Sequence, residues 1–365
     1  MKHFFYFFLA VLMFGCKSKN ITVSDSLNEF LPQNTDIKYQ GRGVLQKDGT
    51  YALVGSAASI SISFLGETCV VNLKSTQDQN CYVAVELDGE YLGRFLVAKQ
   101  IKPYSFKAKS DQKEHVFKIF KATEATTGAV VFSSVNVQEL LPIASEDKKY
   151  IEFIGDSITC GALADDSDIP CDEGQYTDHH NAYLAYGPRV AELLNVDYTL
   201  SSVSGMGMYR NWNDENIEEP IMPDVYKNLS LNRDASQKYK FIKQPDLVSI
   251  CLGTNDLSGG DGIKERLPFN PEKYTQNYIN FIKMLYVHYP NTKIALLNSP
   301  MVAGENNEVL LACLENVKNH FSNKDIFIFE FNELYVTGCS YHPSIKEHQE
   351  MANKLMPFYN KILNN

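Results

Sequence analysis

The stretch "IEFIGDSITCG", residues 151–161, runs from a short, largely apolar segment straight into a Gly-Asp-Ser turn. Such a segment reads as a buried strand of a parallel sheet, and the turn leaves the hydroxyl of Ser157 at the sheet's end. Ligands of open α/β sheets bind at that end of the strands. Working outward, apolar β-rich runs fall at 150–155, 197–203, 247–253, 293–299 and 326–332. Helical periods separate them: "NAYLAYGPRVAELLN", "PEKYTQNYINFIKMLYVHY" and "NEVLLACLENVKNHF", with a last amphipathic helix over 344–363. Strands alternating with helices imply a five-stranded parallel sheet covered on both faces, a three-layer α/β/α domain.

Upstream the period changes. From 38 to 140, short alternating segments dominate ("SISISFLG", "CVVNLKS", "CYVAVELDGEY", "HVFKIFKA", "AVVFSSVNV"), separated by Gly, Asp-Gly or polar turns. That pattern predicts an all-β, jelly-roll-like sandwich, with "LDGEY" (87–91) as a tight hairpin. The expected layout is a leader over 1–16, a linker over 17–37, the β-sandwich over 38–145 and the α/β domain over 146–365.

The leader is read from Lys2, the apolar run "FFYFFLAVLMFG" (4–15) and Cys16 before "KSKN". Twelve apolar residues are too few to span a bilayer, which needs about 20, but they suit a secretory signal. The cysteine after Gly15 resembles a bacterial lipoprotein cleavage site, with Cys16 the lipidated residue; an ordinary signal peptide is the alternative. The expectation is an exported lipoprotein of a bacterium, periplasmic, outer-membrane or cell-surface, that meets the membrane only through its lipid. A formal charge of −10, with no basic cluster to offset it, excludes nucleic acid as a partner. Without Cys16, seven of the eight cysteines remain, and export makes disulfides possible. Cys160 and Cys171 flank one loop, Cys69 and Cys81 sit in neighbouring strands, and Cys251 reads as a small buried hydrophobe.

The strand ends carry the chemistry. The first ends in Gly155-Asp156-Ser157, the second in "SVSGMGMYRNW" with Gly205, the third in "LGTNDLSGG" with Asn255 and Asp256. After the fifth comes "GCSYHPSIKEHQEMA" with His342. A serine hydroxyl needs a base before it attacks, and a tetrahedral intermediate needs donors aimed at its oxyanion. Ser157 and His342 fill the first pair of roles; the amides of Ser157 and Gly205 and the Asn255 side chain fill the second. Trp212, Tyr209 and Tyr341 lie close in sequence to these residues and are candidate sugar contacts. "DHHNAY" (178–183), with Asp172 and Glu173 nearby, has metal-ligand residue types, but its polar surroundings favour a solvated rim. No metal or cofactor is expected.

These four blocks, "GDS" (155–157), Gly205, "GTND" (253–256) and "HPS" (342–344), resemble those of the SGNH (GDSL-type) hydrolases over about 149–363. The chain as a whole resembles the two-domain acetyl xylan esterases of carbohydrate esterase family two; "GRG" (41–43), "LDGEY", "EHVFKIFKATEA" (114–125), "SGMGMYRN" and "GCSYHPS" carry that likeness. The resemblance implies a serine esterase that removes O-acetyl groups from acetylated plant polysaccharides or oligosaccharides such as xylan or glucomannan; separately, a monomer is expected. One departure stands out. Many relatives carry an Asp shortly before the histidine, but here Cys339 and Ser340 occupy the nearby positions. A Ser-His dyad with a backbone carbonyl or a water as orienter is therefore expected, the alternative being a triad completed by an acid from a distant loop. The alternatives are a catalytically weak or inactive surface glycan-binding lipoprotein, and a lipid or thioester hydrolase of the same fold.

Overall fold

The computed structural model describes residues 26–109, 113–144 and 146–364. The leader and Cys16 lie outside the described residues. Alternation in the N-terminal half resolves into two six-stranded antiparallel sheets. One runs Gly43–Leu45, Tyr51–Leu53, Val130–Val137, Thr68–Ser75, Lys102–Lys107, with Asn28–Phe30 also on Val130–Val137; the other runs Glu139–Leu141, Ser59–Leu65, Glu114–Lys121, Tyr82–Leu87, Glu90–Leu96, with Lys38–Gln40 also on Ser59–Leu65. In "SISISFL" every second residue points inward, so Ile60, Ile62 and Phe64 are fully buried and meet Val71, Leu73 and Phe132 of the facing sheet. The hairpin at "LDGEY" forms as expected: Asp88 and Gly89 both take the left-handed conformation (φ 53° and 81°) that a two-residue turn needs.

The sandwich starts before residue 38. Asn28–Phe30 pairs antiparallel with Val130–Val137, and Ile37 enters the sandwich core. The linker expected over 17–37 is thus part of the β domain from Asn28 onward. A three-residue edge strand with one half-buried side chain offers no alternation to read.

In the C-terminal half all five strands are parallel, in the order Asp197–Ser202, Tyr150–Gly155, Leu247–Cys251, Lys293–Leu297, Ile326–Phe329. The inner strands are largely apolar on both faces because each face meets helices, whereas Glu152 and Ser201 near the sheet edge are buried against Arg42 of the sandwich. Ile154, Val248, Ile250, Ile294 and Leu296 face the helices Pro271–His288 and Gly304–His320. Ile151, Phe153, Leu247, Ala295 and Leu297 face Tyr186–Leu194 and Ile345–Asn364. The chain's first parallel strand, Tyr150–Gly155, lies inside the sheet with its second and third strands on either side. Its carboxyl end is therefore the switch point where connections leave in opposite directions and a crevice opens. Ser157 sits there.

Two buried arginines join the domains. Arg42 of "GRG" donates to Ser201 Oγ (2.8 Å), Tyr226 O and Asn228 O (3.0 Å each), and lies 3.7 Å from Glu152 with both side chains fully buried. Arg94 donates to Asp178 O (2.6 Å) and His180 O (2.9 Å) and pairs with Asp165 at 3.2 Å. The segment 178–181 is consequently no solvated rim: Asp178, His179, His180 and Asn181 are all buried, and the sandwich residues Asn80, Tyr82 and Tyr91 bond to Asp178 and Asn181. Among the described residues no group of three His, Cys, Asp or Glu could hold a metal ion, and no helix is long and apolar enough to cross a membrane.

Candidate active site

The turn after the first parallel strand is tight because Gly155 allows it. A Cβ there would lie 2.0 Å from Thr159 Oγ1 and 2.9 Å from Cys251 O. Ser157 Oγ emerges 3.0 Å from His342 Nε2, within reach for direct proton transfer. On the other side of the ring, His342 Nδ1 lies 3.1 Å from Ser340 O. A carbonyl can only accept, so Nδ1 carries the proton and Nε2 presents its lone pair to the serine. Burial pulls the His342 imidazole below its usual pKa, although the bond to Ser340 O opposes this.

The loop that supplies this carbonyl is strained and held from several directions. Ser340 and Tyr341 are consecutive non-glycine residues with positive φ (48° and 60°), which costs about 1–3 kcal/mol each. Cys339 is disulfide-bonded to Cys171, 168 residues earlier. The Glu347 carboxylate accepts from Val336 N (3.1 Å), Thr337 N (2.9 Å) and Ser344 N (2.9 Å), drawing both flanks of the loop together. Neither cysteine pair singled out by position is bonded to itself: Cys69, Cys81 and Cys160 are free and buried, and Cys171 bonds Cys339 instead, while Cys251 is the buried, free thiol expected.

The donors lie opposite. Among the described residues the backbone N–H groups of Ser157 and Gly205 have no protein acceptor. Gly205 sits at φ 76°, a conformation its lack of Cβ makes cheap. Asn255 Nδ2 donates to Met206 O (2.9 Å) and more loosely to Asp156 Oδ2 (3.2 Å), and so ties the serine turn to the Gly205 loop. Asp256 braces the same loop from below, accepting from the amides of Met208, Tyr209 and Arg210. Burial pushes the Asp156 carboxyl up to about 7 and the Asp256 carboxyl up to about 6.

Of the three aromatic candidates, two are at the surface and one is not. Trp212 is 48% exposed and its amide donates to Gly205 O (2.7 Å); Tyr341, beside His342, is 80% exposed. Tyr209 is 3% exposed, its ring packed on Phe269 and Tyr274 and its hydroxyl bonded to Asn270 N. The expectation that Tyr209 meets a sugar is corrected: its neighbours in sequence are polar, but the loop folds its ring inward.

One buried acid escaped the sequence reading. Glu124, at the end of sandwich strand Glu114–Lys121, accepts from Ser204 N at 2.6 Å. It falls within "EHVFKIFKATEA", but nothing in that stretch reports a contact 80 residues further along the chain.

A parallel five-stranded sheet carrying a serine and a histidine at its switch point defines a class, and the chain belongs to it. It is a member of the GDSL-like lipase/acylhydrolase family, whose pattern matches residues 151–355. The carbohydrate esterase 2 N-terminal domain matches residues 39–144, so the two-domain architecture is that of family two carbohydrate esterases. An acetylxylan esterase / glucomannan deacetylase of Cellvibrio japonicus is 30% identical over 212 residues, 57% of this chain and 58% of that protein. The chain thus spans little more than half of that relative's length. A second Cellvibrio japonicus protein of the same description is 23% identical over 345 residues, 94% of this chain and 93% of its own. The solved structure of a family two carbohydrate esterase from Clostridium thermocellum in complex with cellohexaose superposes with a TM-score of 0.80 at 25% identity, covering 90% of this chain and 99% of that one.

Proposed function

We propose that the protein is a carbohydrate acetylesterase in which Ser157 and His342 act as a catalytic dyad. The observation that carries this reading is the 3.0 Å approach of Ser157 Oγ to His342 Nε2, with the amides of Ser157 and Gly205 left without a protein acceptor among the described residues. Ser157 Oγ attacks the ester carbonyl while His342 Nε2 takes its proton. The amides of Ser157 and Gly205 receive the oxyanion, joined by Asn255 Nδ2 when it gives up its looser bond to Asp156. His342 then returns the proton to the leaving sugar oxygen, and water repeats the sequence on the acetyl-serine. Ser340 O holds the imidazole tautomer throughout.

The substrate class rests on the relatives and on the site's rim. Two relatives are named for acetylxylan and glucomannan, and a structural neighbour was solved with a β-glucan oligosaccharide bound. Two exposed aromatics support a sugar substrate: Tyr341, next to His342 in the chain, and Trp212, whose amide bonds to Gly205 O. An exported protein anchored through Cys16 would meet such polymers outside the cytoplasm; Lys2, the apolar run and Cys16 support that placement. A panel of nitrophenyl esters tests the acyl class. Acetate should be cleaved at least about 10-fold faster than octanoate, since each extra methylene needs apolar surface worth about 0.8 kcal/mol to bind. A preference for octanoate would move the protein to lipid hydrolysis.

A further inference from the structure

Glu124 belongs to the β-sandwich, yet its carboxylate is buried behind the donor side of the site. Oε2 accepts the Ser204 N–H at 2.6 Å and lies 3.6 Å from Cys160 Sγ. Oε1 lies 3.9 Å from His180 Nε2, a fully buried nitrogen with no hydrogen-bond partner among the described residues. Burial would raise the Glu124 carboxyl, but His180 and the Ser204 N–H hold it down at about 2, so it is ionised. The backbone of the turn that carries it is fixed by the buried Lys121 ammonium, which donates to Thr123 O (3.1 Å), Glu124 O and Thr127 Oγ1 (3.3 Å).

These contacts converge on one residue of the hydrolase domain. The Ser204 amide is anchored on one side of Gly205 by Glu124, and Gly205 O is anchored on the other by Trp212 N at 2.7 Å. Between the two anchors the Gly205 N–H is left without a protein acceptor. We propose that Glu124 is a positioning residue by which the β-sandwich aims the Gly205 amide at the oxyanion, so that the hydrolase domain is catalytically complete only with its partner domain in place. A carboxylate suits the task because a charged acceptor makes a shorter and stronger bond than a neutral one. Its negative charge would oppose a nearby oxyanion, and the buried Lys121, bonded to the same turn, is the cation placed to offset it.

The proposal rests on the esterase reading above, and its test separates the two. Glu124→Gln, Glu124→Asp and Glu124→Ala are compared with wild type for kcat and KM on a short acetyl ester, with active sites counted by a serine-reactive phosphonate. Gln keeps an acceptor oxygen and should stay within about 10-fold of wild type, since charged hydrogen bonds are only about twice as strong as neutral ones. Asp, one methylene too short, and Ala should lose kcat on the order of 10²-fold with KM nearly unchanged, as a small misplacement of a catalytic group does. If Ala leaves too little folded protein, the Gln and Asp pair decides. Wild-type kcat per titrated site in Asp, or equal losses in Gln and Asp, overturns the positioning role. Wild-type protein inert to both ester and phosphonate overturns the esterase reading instead.

Discussion

At the scale of single residues, the account turns on a histidine without a carboxylate. Ser340 O fixes the tautomer of His342 but brings no full charge, so the imidazolium formed during catalysis gains less support than an Asp would give it. Burial acts in the same direction, and the His342 pKa lies below its usual 6.5. A lowered pKa keeps the imidazole neutral, and competent as a base, to more acidic pH. The acid limb of kcat/KM, which reports the free enzyme, should therefore fall below pH 6.5, with a plateau by neutrality; a limb centred above 7 would contradict it. The serine, the histidine and the carbonyl-bearing turn of the proposed dyad each fall in a short local block, which makes them legible in the sequence. Tyr209 was misread because a loop's polarity does not say which way one ring turns, and Glu124 was missed because its partner, Ser204, belongs to the other domain.

At the scale of elements, the strands could be read and the loops that aim the site could not. Runs such as 150–155 and 247–253 bury apolar residues on both faces, apart from Glu152 and Ser249, a pattern that a sheet between two helix layers satisfies. The turn Cys339–Tyr341 has no such pattern. Its two left-handed residues persist because the disulfide to Cys171, the Glu347 carboxylate and the His342 N–H to Cys339 O over-determine it. Pairing residues 168 apart is beyond spacing rules, which set Cys171 beside its near neighbour Cys160 across one loop. Removing the tether should release this turn: Cys171→Ser with Cys339→Ser is expected to lower kcat by about 10-fold or more while the protein stays folded, because a displacement of about 1 Å at a catalytic group costs up to 10². Steady-state kinetics beside a circular dichroism melt checks it; unchanged kcat would leave the disulfide a stabiliser alone.

At the scale of the whole molecule, buried charges cross between the two domains. Arg42 and Glu152 are both fully buried, and removing one leaves the other uncompensated, at a cost of about 3–5 kcal/mol. Arg42→Ala should lower stability by that amount in urea, with tryptophan fluorescence from Trp212 and far-ultraviolet dichroism reporting one shared transition. Two separated transitions in wild-type protein would mean that the sandwich and the hydrolase domain fold independently. The change of period near residue 145 made both domains visible in the sequence. The interface did not announce itself, because Arg42, Arg94 and the 178–181 segment look like surface residues until their partners are known. What the architecture is for is settled most directly by measuring acetate release from acetylated xylan and acetylated glucomannan by the purified protein and by Ser157→Ala. Wild type should release acetate from at least one polymer, and Ser157→Ala should be slower by about 10³-fold or more with its fold intact. Acetate release by Ser157→Ala at the wild-type rate, or none from either polymer by wild type, would contradict the assignment of this serine to carbohydrate deacetylation.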